Sequence, residues 1–463
     1  MKTRIAMLVA LAALLAPLAS RAAAPPTVGP AVPVAAQPAD ARMQSLPACA
    51  ADGAKTFLVA WQQGQKFFEC EDPKVFAARV DAGGKVLDAK PIALSSAKRA
   101  QERPRVAFAG GVYLVVWQAF DPGTKTWDVY AARVKPDGSI LDKEPVAVAA
   151  GAGNQAQPDV AGGPGGFCVV WQDDRAGNGP AIWAARVGAD GRPSGAAALV
   201  GVIRGGTPWL VRTKSGWYVT WKSPHDPTHT TAAHLARIDD NMKVTALGRL
   251  DMIMTYYDGY LAGGETRLLY LNGSFMRGYH NARACFLDAT TGKAIANPNA
   301  ESKRAATGNR MTKSWKFQML AHNAGQGAGG FLPPKSAGAI GDFFLVVVRA
   351  AATQKQFKTG PFPLKLTRIA KNGVRVDHLD NLTVLDDGAA APVFNPAVAG
   401  LKDGVFLVTY ESNGGPGAHR VLTRIVKTEM PESPSPIAGS GTTNTKAKKS
   451  SGGGKRSKRT PKE

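Results

Sequence analysis

Three histidines and an aspartate crowd into one short stretch of the chain, "HDPTHTTAAH". His225, Asp226, His229 and His234 lie within ten residues, and the whole chain has 7 histidines. Imidazole and carboxylate groups suit a first-row transition metal. The stretch turns at Asp226-Pro227, however, so no helix or strand fixes the spacing of these side chains. His225, Asp226 and His229 are the candidate metal ligands, but the pattern predicts neither a metal nor another cofactor.

Acidic side chains also gather in turn-like segments rich in Gly, Pro and Asn. Asp173, Asp174 and Arg175 open the segment "DDRAGNG", and Asp226 lies in the histidine-containing stretch. Two carboxylates could cleave a glycosidic bond, but their separation cannot be read from sequence. The chain lacks the G-x-S-x-G motif of serine hydrolases. We therefore predict these four residues as ligand-binding and assign no catalytic residue, although each of them could equally be a solvated turn residue.

A basic segment with interleaved aromatic residues interrupts the second half of the chain. Its positive and aromatic side chains lie within residues 301–317: Arg304, Arg310, Lys313, Trp315 and Lys316. Guanidinium, ammonium and indole groups can together contact an anionic ligand. The first strand of a repeat would have a similar composition, so both interpretations stay open. We predict these residues as an anion-contacting segment.

The elements that would hold these residues recur along the chain. Four apolar runs, "FLVAW", "YLVVW", "FCVVW" and "WYVTW", begin at Phe57, Tyr113, Phe167 and Trp217, which are 50–56 residues apart. Weaker copies follow as "RLLYL", "FFLVVV" and "FLVTY". Repeats of this period are typical of solenoids, propellers and arrays.

Each repeat consists of short alternating runs rather than amphipathic helices. In the second repeat these runs are "RPRVAFAG", "VYLVVWQA", "DVYAARVK" and "EPVAVAA", and turn sequences such as Asp137-Gly138 separate them. Four antiparallel strands per repeat predict an all-β fold, a seven-bladed β-propeller. We expect the propeller to span residues 25–430, with an irregular insertion at about 290–342.

The last repeat predicts how the ring closes. It supplies only three strands, "NPAVAGL", "VFLVTYE" and "HRVLTRIVK", before a Pro-rich linker begins. The early segment "AVPVAAQPADARMQSLP" resembles the fourth strand and connector of the second repeat, "PVAVAAGAGNQAQP". We therefore expect an N-terminal strand, at residues 31–36, to complete the last blade and close the ring.

Two residue types recur at fixed places in the repeat. We predict that the arginines are scaffold contacts to an acid or carbonyl between blades, and that the tryptophans are blade-to-blade packing. The arginines are Arg79, Arg133, Arg186, Arg237, Arg368 and Arg424. The tryptophans are Trp61, Trp117, Trp171 and Trp221.

The repeat pattern "FLVVW…DVYAARV..DG" resembles that of the secreted bacterial β-propeller repeat proteins and, more distantly, the TolB-type propeller domain. The resemblance covers about residues 31–427 and implies the fold. The S-x-D-x-G-x-T-W box repeated in sialidase propellers is absent.

The ends of the chain predict export. Residues 1–24 combine Lys2 and Arg4 with the apolar run "IAMLVALAALLAPLA" and small residues, as in a secretory signal peptide. Residues 431–463 form a basic tail of low complexity, predicted to be disordered. The net charge of +22 favours anionic partners: an envelope glycan for the ring and polyanions for the tail. We expect a monomer without a transmembrane segment, in the periplasm or outside the cell.

Four cysteines fit an oxidising compartment. The repeat alignment places Cys49 and Cys70 near one edge of a sheet, where a disulfide is allowed. Cys168 and Cys285 lie in strand patterns and are predicted to be buried thiols.

These observations favour a non-catalytic exported binding or scaffold protein, with a protein or an anionic envelope glycan as its ligand. The alternative is a propeller hydrolase or lyase that acts on an acidic polysaccharide.

Overall fold

The computed structural model describes residues 23–36, 42–64, 73–177, 179–202, 206–222, 233–250, 259–276, 279–295, 318–321, 337–349, 363–377, 382–386, 392–414 and 419–432. Within these ranges the chain forms β-strands and no α-helix. None of the described residues belongs to a helix that could cross a membrane.

Twenty-nine strands in the described ranges build seven antiparallel sheets. Two short strands come first, β1 (Thr27–Val28) and β2 (Val32–Pro33). Blade 1 contains β3 (Met43–Ala51), β4 (Thr56–Gly64), β5 (Lys74–Asp81) and β6 (Ile92–Ala93). Blade 2 contains β7 (Gln101–Ala109), β8 (Val112–Asp121), β9 (Thr126–Val134) and β10 (Val146–Ala149). Blade 3 contains β11 (Gln155–Gly163), β12 (Gly166–Asp173), β13 (Ala181–Gly188) and β14 (Pro193–Val202).

The second half of the chain repeats this order. Blade 4 contains β15 (Trp209–Thr213), β16 (Gly216–Lys222), β17 (Ala233–Ile238) and β18 (Val244–Leu250). Blade 5 contains β19 (Gly259–Gly263), β20 (Leu268–Met276), β21 (Tyr279–Leu287) and β22 (Gln318–Ala321). Blade 6 contains β23 (Ala337–Ile340), β24 (Phe343–Arg349), β25 (Leu364–Ile369) and β26 (Thr383–Asp386). Blade 7 contains β27 (Val393–Gly400), β28 (Val405–Asn413) and β29 (His419–Lys427), with β1 and β2 paired on β29.

The first strands of the blades form the inner ring. Each inner strand contacts that of the next blade, from β3 through β7, β11, β15, β19 and β23 to β27, and β27 contacts β3 again. The sheets are therefore arranged as a closed seven-bladed β-propeller, as the repeat predicts. Closure lets every blade bury both of its faces against neighbours.

The N-terminal strands complete the last blade, which confirms the predicted closure. Val32 and Pro33 of β2 pair with Thr423 and Leu422 of β29. The upstream strand β1 pairs with the other end of β29. Val34 is 1% exposed and packs in the core between blades 7 and 1, so the two ends of the chain share one hydrophobic cluster.

The second strand of each blade explains the continuous apolar runs of the sequence. In β4, every residue from Phe57 to Trp61 is 0% exposed, because blades lie against both faces of the strand. The tryptophans that end these runs pack on the preceding blade, as predicted. Trp117 joins the cluster of blade 1, and Trp171 joins that of blade 2.

Four of the six repeated arginines contact an acid, as predicted for scaffold residues, and a fifth, Arg186, donates to the Asp240 carbonyl oxygen of the next blade. Arg79 binds Asp88 through two nitrogens and donates from Nη1 to the Pro136 carbonyl oxygen of the next blade at 3.1 Å. Arg133 repeats this arrangement with Asp142 and the Ala189 carbonyl oxygen. Two further pairs at equivalent places are Arg368 with Asp377 and Arg424 with Asp386.

The turn glycine Gly138 shows how closely these arginines fit the next blade. Its φ is +91°, and a Cβ added there would lie 2.8 Å from Arg79 Nε. We expect Gly138→Ala to lower the free energy of unfolding by about 1–3 kcal/mol, because the left-handed backbone would be strained and the arginine displaced. Gly111 is the matched control, since its φ is +79° but no atom lies within 4 Å of an added Cβ. Urea unfolding followed by tryptophan fluorescence should show a smaller loss for Gly111→Ala; equal losses would mean that the arginine contact contributes nothing.

The cysteines divide between the described and undescribed parts of the chain. Cys168 and Cys285 are 0% and 2% exposed, so both are buried as predicted. Burial raises the pKa of the Cys168 thiol to about 12. Cys49 lies on β3, and Cys70 lies outside the described residues, so a disulfide between them stays a prediction.

Candidate functional site

The mouth face of the ring is the face where the second strand of each blade ends and the inner strand of the next begins. Near this face the inner strands of blades 1, 2, 3 and 7 carry a bulge before a proline. Leu46, Arg103, Gln157 and Asn395 precede these prolines and have φ between 48° and 55°. Each bulge takes a backbone N–H out of the regular strand pairing.

Side chains of the preceding blade accept these free N–H groups. Arg103 N donates to Gln62 Oε1 at 3.0 Å, and Gln157 N donates to Gln118 Oε1 at 2.9 Å. At the junction of blades 7 and 1, Leu46 N donates to Glu411 Oε1 at 2.7 Å. The mouth ends of the inner strands are thereby held in place blade by blade.

The residues just after the bulges form one layer of the inner ring. Strand register places Arg105 opposite Val116, Asp159 opposite Val170 and Trp209 opposite Thr220, at matching positions of successive blades. By the same register the seven members of the layer are Ala48, Arg105, Asp159, Trp209, Tyr260, Ala337 and Ala397. All the polar and aromatic side chains of the layer come from blades 2 to 5.

The side chain of Arg105 reaches from blade 2 to blade 4 along the inside of the ring. It starts from blade 2, yet its guanidinium carbon lies 5.3 Å from the ring centroid of Trp209 in blade 4. Blade 3 lies between these blades, so the side chain can reach Trp209 only along the inside of the ring. Trp209 in turn meets Tyr260 of blade 5 edge-on, with centroids 5.0 Å apart. The layer therefore brings together side chains that are more than 150 residues apart in sequence.

The polar partners of Arg105 are few. Its Nη1 donates to the neighbouring Pro104 carbonyl oxygen at 2.9 Å, and its buried Nε has no hydrogen-bond partner among the described residues. Asp159 is 0% exposed, and its two oxygens accept from the backbone N–H groups of Val160 and Leu210. Asp159 thus lends negative charge to the layer, and each of its oxygens accepts a hydrogen bond from the backbone.

Glu102 lies at the mouth end of the same inner strand. It is half-buried, and its Oε2 accepts a hydrogen bond from Gln118 Nε2 at 3.2 Å. Burial raises the pKa of Glu102, and the charge of Arg103 offsets this only in part. A carboxyl with a raised pKa holds its proton to a higher pH than a free one and can donate it in a reaction.

Arg103, next to Glu102, and Arg105, on the same inner strand, are also desolvated. Burial lowers the pKa of Arg103, against the opposing influence of Glu102. Burial likewise lowers the pKa of Arg105, although the charge of Asp159 acts in the opposite direction. Cations held in such surroundings attract an anion more strongly than they would in water. Glu102, Arg103, Arg105, Asp159, Trp209 and Tyr260 are together called the mouth cluster below.

The sequence-predicted site residues of blade 3 hold local structure. Asp173 has a fully buried side chain that accepts from Trp171 Nε1 at 2.9 Å and from Arg175 Nε at 2.8 Å. Burial acts to raise the pKa of Asp173, but the hydrogen bonds from Arg175 and Trp171 outweigh it and lower the pKa. Asp174 binds the backbone and side-chain nitrogens of Asn154. The structure brings these three residues together at one turn, and their role as a ligand site stays a prediction.

The remaining predicted site residues lie outside the described residues. They are the metal candidates His225, Asp226 and His229 and the anion-contacting candidates Arg304, Arg310, Lys313, Trp315 and Lys316. Their assignments stay predictions.

The mouth cluster was not predicted from the sequence, although a signal for it exists. In the aligned repeats the same proline is followed by alanine at Ala48 and Ala397, but by Arg105, Asp159 and Trp209 in blades 2 to 4. When one position of the repeat holds small residues in some blades and charged or aromatic residues in neighbouring blades, it indicates a site that several blades form together.

The similarity of this chain to known proteins is confined to solved structures of low sequence identity. It matches no protein-family model and no curated protein. A protein of unknown function from Dyadobacter fermentans is 10% identical, with a TM-score of 0.46, and the match covers 87% of this chain and 99% of the other. An exo-1,5-alpha-L-arabinanase from a bovine ruminal metagenomic library is 12% identical, with a TM-score of 0.33, over 56% of this chain and 99% of the other.

A third similar structure is a sialidase from Trypanosoma rangeli. It is 10% identical, with a TM-score of 0.40, and the match covers 83% of this chain and 55% of the sialidase. Identities and scores this low describe the fold alone. A TolB-type relationship stays a prediction, since the findings support only the broader class of β-propellers.

The sequence-based preference for a non-catalytic binding or scaffold protein was wrong. The similar structures whose activity is named are an arabinanase and a sialidase, which are enzymes that act on glycans and not binding scaffolds.

Proposed function

We propose that the protein is an exported propeller hydrolase or lyase that cleaves an acidic polysaccharide at the mouth of its ring. The observation that carries the proposal is Glu102, a half-buried carboxyl whose pKa burial raises, held by Gln118 beside the desolvated Arg103. Breaking a glycosidic bond requires a proton donor for the leaving oxygen, and a carboxyl with a raised pKa is suited to that role.

The charge of the protein supports an acidic substrate. The formal net charge is +22, Arg103 lies next to the candidate acid, and Arg105 lies on the same inner strand. A positive site raises the local concentration of a polyanion and neutralises its charge close to the cleaved bond. Export is supported by the signal-like N-terminus, and we propose that the basic tail, residues 431–463, adds salt-dependent attraction to polyanions.

The first test is a depolymerisation assay of the mature protein on a panel of acidic polysaccharides, each beside a neutral polymer of similar linkage. New reducing ends report cleavage, and the ultraviolet absorbance of an unsaturated uronate separates a lyase from a hydrolase. We expect cleavage of at least one acidic polymer. The absence of new ends with every polymer would overturn the proposed function.

A further inference from the structure

Arg105 differs from the acid-paired scaffold arginines of blades 1, 2 and 6 in what it binds. In blades 1, 2 and 6 the protein supplies a carboxylate nine residues after the scaffold arginine, and Arg79, Arg133 and Arg368 each bind it through two nitrogens. Arg105 receives no such acid: its Nε lacks a hydrogen-bond partner among the described residues, and its Nη1 bonds only a carbonyl of its own strand. A buried guanidinium nitrogen without an acceptor costs free energy unless a ligand supplies one.

The nearest carboxylate does not fill this gap. Asp159 is close enough for its charge to act on Arg105, but its oxygens bind the backbone N–H groups of Val160 and Leu210 at 2.9 and 2.7 Å. Arg103 adds a second positive charge near Arg105 rather than an acceptor. The Arg105 Nε therefore remains without an acceptor among the described residues.

The surroundings of Arg105 suit a sugar as well as an anion. Trp209 and Tyr260, each 6% exposed, form an aromatic wall beside the guanidinium, with Trp209 at 5.3 Å. A planar guanidinium fork binds a carboxylate through two parallel hydrogen bonds, and an aromatic ring packs against the apolar face of a neighbouring group. The guanidinium and the aromatic rings lie in the same layer of the ring, and Arg105 shares its inner strand with Glu102.

We infer that Arg105 is a specificity residue that binds the carboxylate of a uronic acid residue in the substrate, with Trp209 packing beside the sugar. This inference rests on the proposed function and adds to it the substrate class and the residue that selects it. Arg103 contributes longer-range attraction. A neutral sugar would leave the Arg105 donors unpaired and would bind less tightly.

The test is calorimetric titration of the full-length mature protein with oligogalacturonate and oligoglucuronate, under conditions without turnover. Arg105→Gln should weaken uronate binding by about 10- to 100-fold, as expected for loss of a charge-assisted hydrogen bond. Arg105→Lys keeps the charge but loses the planar fork, so its uronate affinity should lie between those of the wild type and Arg105→Gln. Arg192→Gln, at an exposed arginine of blade 3, is the matched control and should bind like the wild type.

Two comparisons decide the outcome. Neutral galacto- and gluco-oligosaccharides should bind equally well to wild type and Arg105→Gln, and a sulfated neutral oligosaccharide should bind less tightly than the uronates. Equal uronate affinity of wild type and both Arg105 variants, or equal losses in Arg105→Gln and Arg192→Gln, would overturn the inference. Unfolding curves in urea check that each variant is folded, and Arg105→Lys keeps the test valid if Arg105→Gln does not fold.

The failure of this inference can be told apart from the failure of the proposed function. If uronates bind through Arg105 but no polymer is cleaved, the site is a uronate-binding site and the enzymatic proposal is wrong. If a polymer is cleaved and the Arg105 variants keep the wild-type KM, the proposed enzymatic function holds and Arg105 does not select the substrate.

Discussion

Replacing Glu102 by glutamine lowers kcat on the acidic polysaccharide by about 10²- to 10⁴-fold, the usual contribution of a general acid. Glutamine keeps the size of the side chain and can still bond Gln118, whose amide lies 3.2 Å from Glu102 Oε2. It cannot donate an acidic proton, so KM should change little. Reducing-end assays over a range of substrate concentrations give both constants.

The pH dependence of the reaction gives a second measure of the same residue. Burial raises the pKa of Glu102, and the active form is the protonated one. Activity should therefore be highest below this raised pKa and fall as the pH rises through it, and this basic limb should disappear in Glu102→Gln. The same group also makes stability depend on pH. Because its pKa is raised in the folded state, its contribution to stability is fully present below its unfolded pKa and is lost as the pH rises through its folded pKa.

Glu144→Gln is the control for Glu102→Gln. Glu144 is an exposed glutamate on blade 2, so its replacement makes the same change in charge on the same blade. It should leave kcat and the pH profile unchanged. A Glu102→Gln variant with wild-type kcat would show that Glu102 is not the proton donor.

Glu411→Ala should produce the largest loss of stability, about 3–5 kcal/mol, as expected when one partner of a buried pair is removed. Glu411 and His419 are both 0% exposed, and Glu411 Oε2 lies 3.0 Å from His419 Nε2. Glu411 Oε1 accepts from Leu46 N at 2.7 Å and from Asn395 Nδ2 at 2.9 Å. The Glu411 carboxylate thus links strands β27 and β29 of blade 7 to strand β3 of blade 1.

The position of Glu411 explains why the closing junction has a carboxylate where other junctions have an amide. Gln62 and Gln118 make the equivalent bond to the next blade at junctions that the chain itself connects. At the closing junction, blade 7 is linked to blade 1 only through the N-terminal strand β2, which leads on to β3, and a carboxylate accepts a stronger hydrogen bond than an amide. Gln44, which is 0% exposed, adds a bond to Val421 N across the same junction.

Urea unfolding measures this effect against two matched variants. Glu411→Gln keeps an acceptor for Leu46 N and should lose less stability than Glu411→Ala. Gln62→Ala removes the corresponding neutral acceptor between blades 1 and 2 and should cost about 1 kcal/mol, as for an ordinary hydrogen bond. If Gln62→Ala and Glu411→Ala lose equal stability, the closing junction does not depend on the charge.

The sequence by itself determined the architecture of this protein. Runs such as the one from Phe57 to Trp61 and turns such as Asp137-Gly138 recur in each repeat, because every blade must form the same strands and bury the same faces. The missing strand of the last repeat likewise required a partner from elsewhere in the chain, and β2 supplies it. Periodic local patterns are enough to predict features of this kind.

Only the tertiary structure decided which polar residues meet. Asp173 and Arg175 were predicted as ligand-binding residues because they lie in one turn-like segment. Their closeness also lets them bind each other, and in the structure they do. Arg105 and Trp209 are on blades 2 and 4 and come within contact distance only because the ring curves round a common centre. That curvature results from the packing of all seven blades, so no local stretch of sequence contains it.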